Sequence, residues 1–264
     1  MKTPRTVSPV QAMALLGRGV LLEIARRKDL YVLFMLMGVF VLGVLAVDAV
    51  GIENASTATF LLNLGLTLAY VASHALTLFL AARQIPDDLE NRTIYPLLAR
   101  PVSRDVYVLG KWLACVLTGV GVFAALFLLG WAPAPKMEFY STPLLAQLLA
   151  LQAVSIATLA SMTICLSIFA PRALAVVLIG GWALAGSTAT AFLLNGMANP
   201  STRAAARWLF GYLPDFARLN LITRYTDGIA ALALPQFAGL LAYGLIFTAF
   251  GLTLAMARFR RMVL

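Results

Sequence analysis

The chain has 264 residues, 61% of them hydrophobic, with a mean hydropathy of +0.89. One soluble core does not need that much apolar surface, and six stretches of 18 residues or more lack Asp, Glu, Lys and Arg, which excludes a soluble enzyme or binding module. The formal charge of +9 would suggest nucleic acid in a soluble protein; here its distribution matters more than its size, and no nucleic-acid partner is expected.

The first predicted element is an interfacial helix over residues 8–29. Ser8-Pro9 reads as its start, with Ser as N-cap and Pro at the first helical position. Val10, Met13, Val20, Leu21 and Ile24 recur at helical spacing, and Gln11, Arg18, Glu23, Arg26 and Arg27 supply the polar side. Arg18 and Glu23 break the apolar run and no small-residue cleavage pattern follows, so this is not a secretory signal. Six transmembrane spans follow: Leu30–Val47, Asn54–Ala82, Trp112–Pro135, Phe139–Pro171, Ala173–Thr202 and Gly228–Ala257. The predicted fold is therefore an all-α polytopic membrane protein, in one domain spanning residues 1–264.

Between the second and third spans, residues 84–104 are too polar for lipid. Pro86-Asp87-Asp88 reads as the start of a short helix, its carboxylates near the positive end of the helix dipole. That helix extends through Leu97 and Leu98, with Pro96 able to kink it, and ends at Arg100-Pro101. Ser103 then caps the helix of the third span, with Asp105 in its first turn. Ala170-Pro171-Arg172 makes spans four and five a tight hairpin. Asn199-Pro200 opens another short helix, Ser201 to Phe210, which Gly211-Tyr212-Leu213-Pro214-Asp215 breaks. Residues 197–235 form an outer segment, apolar enough in part to re-enter the membrane.

Placing the N-terminus and every second loop on one side gathers fifteen of the twenty Lys and Arg there. They are Lys2, Arg5, Arg18, Arg26, Arg27, Lys28, Arg83, Arg92, Arg100, Arg104, Lys111, Arg172, Arg258, Arg260 and Arg261. Basic loops stay inside, so both termini are expected in the cytoplasm of a cell whose inner membrane the chain crosses. Arg203, Arg207, Arg218 and Arg224 gather on the outer side, an unusual concentration for that face.

Candidate chemistry is sparse. His74 is the single histidine, and a lone intramembrane His more often hydrogen-bonds across helices than acts as a base. His74, Cys115, Met162 and Cys165 are soft donors that suit copper, but nothing in their spacing makes them converge, and no metal site is assigned. Cys115 and Cys165 both lie within spans and read as small apolar fillers. The spans carry no acid or base away from their ends, which argues against proton coupling. Gly110-Lys111-Trp112 lacks the spacing of a phosphate-binding loop, so the chain does not bind nucleotide that way.

The run Asp88-Leu89-Glu90-Asn91-Arg92-Thr93, followed by Leu97-Leu98-Ala99-Arg100-Pro101-Val102-Ser103-Arg104 and Val108-Leu109-Gly110-Lys111, resembles the first cytoplasmic loop of ABC-2 type permeases. Tyr212-Leu213-Pro214-Asp215 and Arg258-Phe259-Arg260-Arg261 are weaker matches. Within that superfamily the chain looks closest to the branch named for multicopper-enzyme maturation, which includes the permease for nitrous oxide reductase assembly. The loop departs from the family in having Arg92-Thr93 where Gly-Thr is common.

The resemblance implies the membrane subunit of an ATP-binding-cassette exporter, not itself an enzyme. Its cytoplasmic loop helix would be a coupling helix seated on a separate ATPase, through Asp87, Asp88, Glu90, Asn91, Arg92, Thr93, Leu97 and Leu98. It further implies a second copy or homologous permease as partner, contact with membrane lipids, no cofactor in this chain, and ATP with Mg in the ATPase. The alternative is an ATPase-linked membrane assembly or maturation factor that translocates nothing. The apolar bundle does not choose a substrate.

Overall fold

The computed structural model describes residues 35, 37–43, 55–91, 103–131, 141–196, 200–211 and 213–262, and among them every regular element is helical. In chain order these are α1 (Ala55–Glu90), α2 (Arg104–Trp131), α3 (Thr142–Phe169), α4 (Arg172–Gly196), α5 (Pro200–Gly211), a 3-10 helix (Phe216–Leu219), α6 (Ile222–Thr226) and α7 (Leu234–Arg260). Residues 37–43 are also helical, and Met37 packs into the core. The predicted interfacial helix, most of the first span and the loop centre from Arg92 onward lie outside the described residues.

Local chemistry sets the helix ends. Ser103 Oγ accepts from the Val106 amide at 3.3 Å, the cap expected for α2. Ser141 caps α3 by accepting from the Leu144 amide, with Pro143 in the first turn. α3 stops because Ala170 precedes Pro171 and is forced into extended backbone at φ −135°, ψ 159°. α5 covers the helix expected after Asn199.

One sequence expectation is overturned. Pro86-Asp87-Asp88 does not start a helix; α1 continues unbroken through Pro86 to Glu90. An internal proline loses one backbone bond and crowds the preceding turn, at a cost of about 3 kcal/mol. Two attachments hold the turn in place: Ile85 is fully buried in a core cluster shared by α1, α2, α3 and α7, and Asp88 is bound by α2 side chains. The carboxylates therefore stand at the negative end of their helix dipole, opposite to the expectation.

Among the described residues, four helices are long and apolar enough to cross a membrane: Thr59–Glu90, Arg104–Trp131, Thr142–Phe169 and Leu234–Arg260. The predicted fifth span corresponds to α4, whose apolar part is the shorter Arg172–Thr188. Phe79, Leu117, Val177, Leu184, Ile246 and Phe250 are each half or more exposed, the periphery that lipid contact requires.

The helices approach closely where side chains are absent. A Cβ on Gly119 of α2 would overlap Thr77 of α1, and one on Gly244 of α7 would overlap Val154 of α3. α4 approaches α1 closely at Gly180, where a Cβ would overlap Leu78, but leaves space beside that contact. An apolar crevice of about 240 Å³, lined by Val71, His74, Leu78, Val176, Gly180 and Leu184 among others, lies between α4 and α1.

Part of the segment after α5 turns back into the bundle. Phe216 packs on Leu78 and Leu159, and its ring meets His74 edge-on at 6.5 Å. Trp182 Nε1 of α4 donates to the Pro214 carbonyl at 2.8 Å, and the Asp215 amide donates to Tyr243 Oη of α7 at 2.8 Å. Trp182 lies ten residues from Arg172 and Tyr243 seventeen from Arg260, roughly 15 and 25 Å along their helices. Residues 213–219 thus pack back against the helices, away from the helix ends at Arg172 and Arg260. Asp215 caps the 3-10 helix by accepting from the Ala217 amide. Farther on, Thr226 accepts from Asn63 at 3.0 Å, and Gln147 exchanges two hydrogen bonds of 2.9 Å with the Leu232 backbone. Burial raises the Tyr225 phenol above its ordinary range, against a smaller opposing hydrogen bond with Trp131.

Candidate functional site

α1 ends where α2 begins, α3 ends, α4 begins and α7 ends. That end of the bundle collects Arg83, Arg104, Lys111, Arg172, Arg258 and Arg260 together with Asp87, Asp88, Glu90 and Asp105. Three carboxylates in the last turns of α1 oppose its dipole, and Arg172 in the first turn of α4 opposes that helix's dipole as well. Each misplacement is offset by the other.

Asp88 faces inward. Lys111 Nζ meets its Oδ2 at 2.8 Å, and the Tyr107 hydroxyl donates to the same oxygen. Tyr107 and Lys111 are four residues apart on one face of α2, and the Tyr107 ring, fully buried, stacks on Phe259 of α7 at 5.5 Å. Asp87 and Glu90 instead reach sideways to Arg172, at 2.8 and 3.3 Å. Asn91 Nδ2 donates back to the Asp87 carbonyl at 2.9 Å.

The returning limb of the loop is fastened to α7. Arg104 Nη1 donates to the carbonyls of Phe259 (3.4 Å), Arg260 (2.9 Å) and Met262 (2.8 Å), so one guanidinium satisfies carbonyls that the helix end leaves over. Asp105 next to it pairs with Arg260 through a 2.7 Å bond to Nε and a second bond to Nη2. The loop therefore leaves α1 braced against α2 and α4, and returns braced against α7.

Of the residues predicted to meet a partner, Asp87, Asp88, Glu90 and Asn91 are described; Arg92, Thr93, Leu97 and Leu98 are not. The structure uses Asp87, Asp88 and Glu90 within the chain, although Glu90 keeps an exposed side chain. Arg104 and Lys111 stand in the loop motif and Arg172 in a tight turn, and the expectations from sequence do not mark the three as the braces. One signal was available: Lys111, seven residues into a helix that is otherwise apolar beyond it, needs a carboxylate partner.

The bundle centre holds a second polar group. His74 Nε2 meets Ser155 Oγ at 2.9 Å, its Nδ1 lies 3.0 Å from the Tyr70 carbonyl and 3.4 Å from Gln152 Nε2, and the Tyr70 ring stacks on it at 4.0 Å. His74 is the interhelical hydrogen-bonder expected. Thr158 of α3 likewise meets Thr248 Oγ1 and the Gly244 carbonyl of α7, both at 3.0 Å. Cys115 and Cys165 are buried and unbridged, and among the described residues no three His, Cys, Asp or Glu side chains gather to hold a metal.

A cavity of about 440 Å³ lies between α4 and α7, bounded by the segment after α5. Trp182, Gly186, Ser187, Pro214, Asp215, Arg218 and Tyr243 are among its lining residues, and its wall is mixed in polarity. Arg218 pairs with Asp215 at 3.1 Å and lies over the Tyr243 ring.

The family described as ABC-2 family transporter protein matches residues 22–264. No curated protein matches the chain.

Proposed function

The chain belongs to the ABC-2 transporter family, and from that premise we propose that it is the transmembrane permease subunit of an ATP-binding-cassette exporter. A separate ATPase binds ATP and Mg, and the permease converts closure of that ATPase into outward movement of a substrate. It works as a dimer, with a second copy or a homologous permease, in the cytoplasmic membrane with its basic end inside. On the resemblance of the loop motif, its branch is that of multicopper-enzyme maturation.

The loop after α1 is the docking element in this reading. Glu90, Asn91, Arg92 and Thr93 meet the ATPase, Leu97 and Leu98 pack beside it, and Asp87 and Asp88 carry the load into the bundle. The observation that supports this is the fastening of both limbs, by Lys111 and Arg172 on one side and Arg104 on the other. A loop that hung free could be displaced without moving any span; one braced to α2, α4 and α7 cannot.

The test is co-expression with the ATPase followed by purification and hydrolysis assays. Glu90→Lys combined with Arg92→Glu is expected to abolish co-purification or permease-stimulated hydrolysis. If both persist unchanged, the docking assignment fails. ATPase-dependent flux in liposomes is expected from an exporter; its absence from an intact complex would assign the chain to membrane assembly instead.

A further inference from the structure

Three observations bear on how a displaced loop reaches the 440 Å³ cavity. First, the first residue of α4 is bound to the last turn of α1, from which the loop leaves, through Asp87 and Glu90 on Arg172. Second, α4 touches α1 closely at Gly180, where a Cβ would overlap Leu78, but an open crevice flanks that contact, whereas α7 is locked to α3 at two glycines, Gly244 and Gly251, and by Thr158–Thr248. Third, α4 and α7 hold adjacent atoms of one peptide segment. Trp182 binds the Pro214 carbonyl, and Tyr243 binds the Asp215 amide.

Resting on the exporter reading, we infer that Arg172 is a positioning residue for coupling: it turns displacement of the loop into tilting of α4, which moves Trp182 relative to Tyr243 and shifts Pro214–Asp215 to gate the 440 Å³ cavity. The lever is short. Ten residues of continuous helix, roughly 15 Å, separate Arg172 from Trp182 without an internal proline, with Gly180-Gly181 just before Trp182. The crevice beside α1 leaves α4 room to pivot about its close contact at Gly180 and Leu78. The opposite side is defined by α7, which Gly244, Gly251 and Thr158–Thr248 hold against α3 along its length. Pro214–Asp215 is therefore pulled between one movable and one stationary helix.

The experiment uses the permease–ATPase complex in lipid nanodiscs, with Cys115→Ser and Cys165→Ser, and Ala217→Cys as the single reactive site. Ala217 is exposed and lines the cavity. Its labelling rate with a polar maleimide is measured without nucleotide and after trapping with ATP, Mg and vanadate. With Arg172 in place, trapping is expected to change the rate at least fivefold. Arg172→Gln is expected to keep the ATPase bound but reduce the change to less than twofold. Arg172→Lys, and the reversal of Arg172→Glu with Asp87→Arg, are expected to restore it. A full ATP-driven change in the bound Arg172→Gln complex overturns the inference, as does no change in the bound parent complex. Loss of ATPase binding by the parent overturns the exporter reading itself, and the inference with it.

Discussion

Lys111 of α2 meets Asp88 of α1 at 2.8 Å, with both groups largely withdrawn from solvent and the Tyr107 hydroxyl bound to the same carboxylate oxygen. The pair closes the hairpin between two spans at the point where the chain leaves the bundle. It also sets apart two kinds of acid in the same turn: Asp88 belongs to the fold, whereas Glu90 is only partly committed to it.

Removing the cation alone exposes that difference. Lys111→Met leaves Asp88 with the Tyr107 hydroxyl but no countercharge, and is expected to lower stability by about 1–3 kcal/mol. Lys111→Met with Asp88→Asn is expected to recover part of the loss, because neither charge is then stranded. Thermal unfolding in detergent measures both.

Glu90→Lys is expected to behave oppositely to Asp88→Lys. Glu90 is exposed and pairs only at the surface, so its reversal is expected to change stability by less than about 0.5 kcal/mol. Asp88→Lys sets two ammonium groups together and is expected to prevent accumulation of folded protein. Size-exclusion profiles of the two variants decide.

Gly244→Ala tests the seam between α7 and α3. Its new methyl overlaps Val154 Cγ1, at an expected cost of about 1–3 kcal/mol. Val154→Ala in the same chain is expected to restore most of the melting temperature. If Gly244→Ala is neutral by itself, the helices are not packed as closely as described.

His74→Leu leaves Ser155 and Gln152 without their shared partner in the buried centre, an expected loss of about 1–3 kcal/mol. Adding Ser155→Ala is expected to lessen the penalty, since an unmet hydroxyl is removed. The double-mutant cycle, read by thermal unfolding, measures the coupling.

Capping and proline signals located the start of α2, the end of α3 and the opening of α5, because those rules act within a few residues. The same local rule failed at Pro86. There a helix start in isolation is overruled by Ile85, buried in a cluster shared with other helices, and by Asp88, which α2 side chains bind. Arg172 looked like a turn residue for a similar reason: its two carboxylates are more than eighty positions away in the chain.

Hydropathy by itself determined that this chain is a helical membrane protein, since backbone groups in lipid must be satisfied within the segment that carries them. The motif in the loop after the second span pointed to the ABC-2 family, and the family match over residues 22–264 agrees with that family. Only the tertiary structure decided which charges fasten the loop and to which spans, and that residues 213–219 pack back against the helices. Periodicity fixes which residues share a face of one helix. The neighbour that face meets is set by packing between helices, which no single stretch of sequence contains.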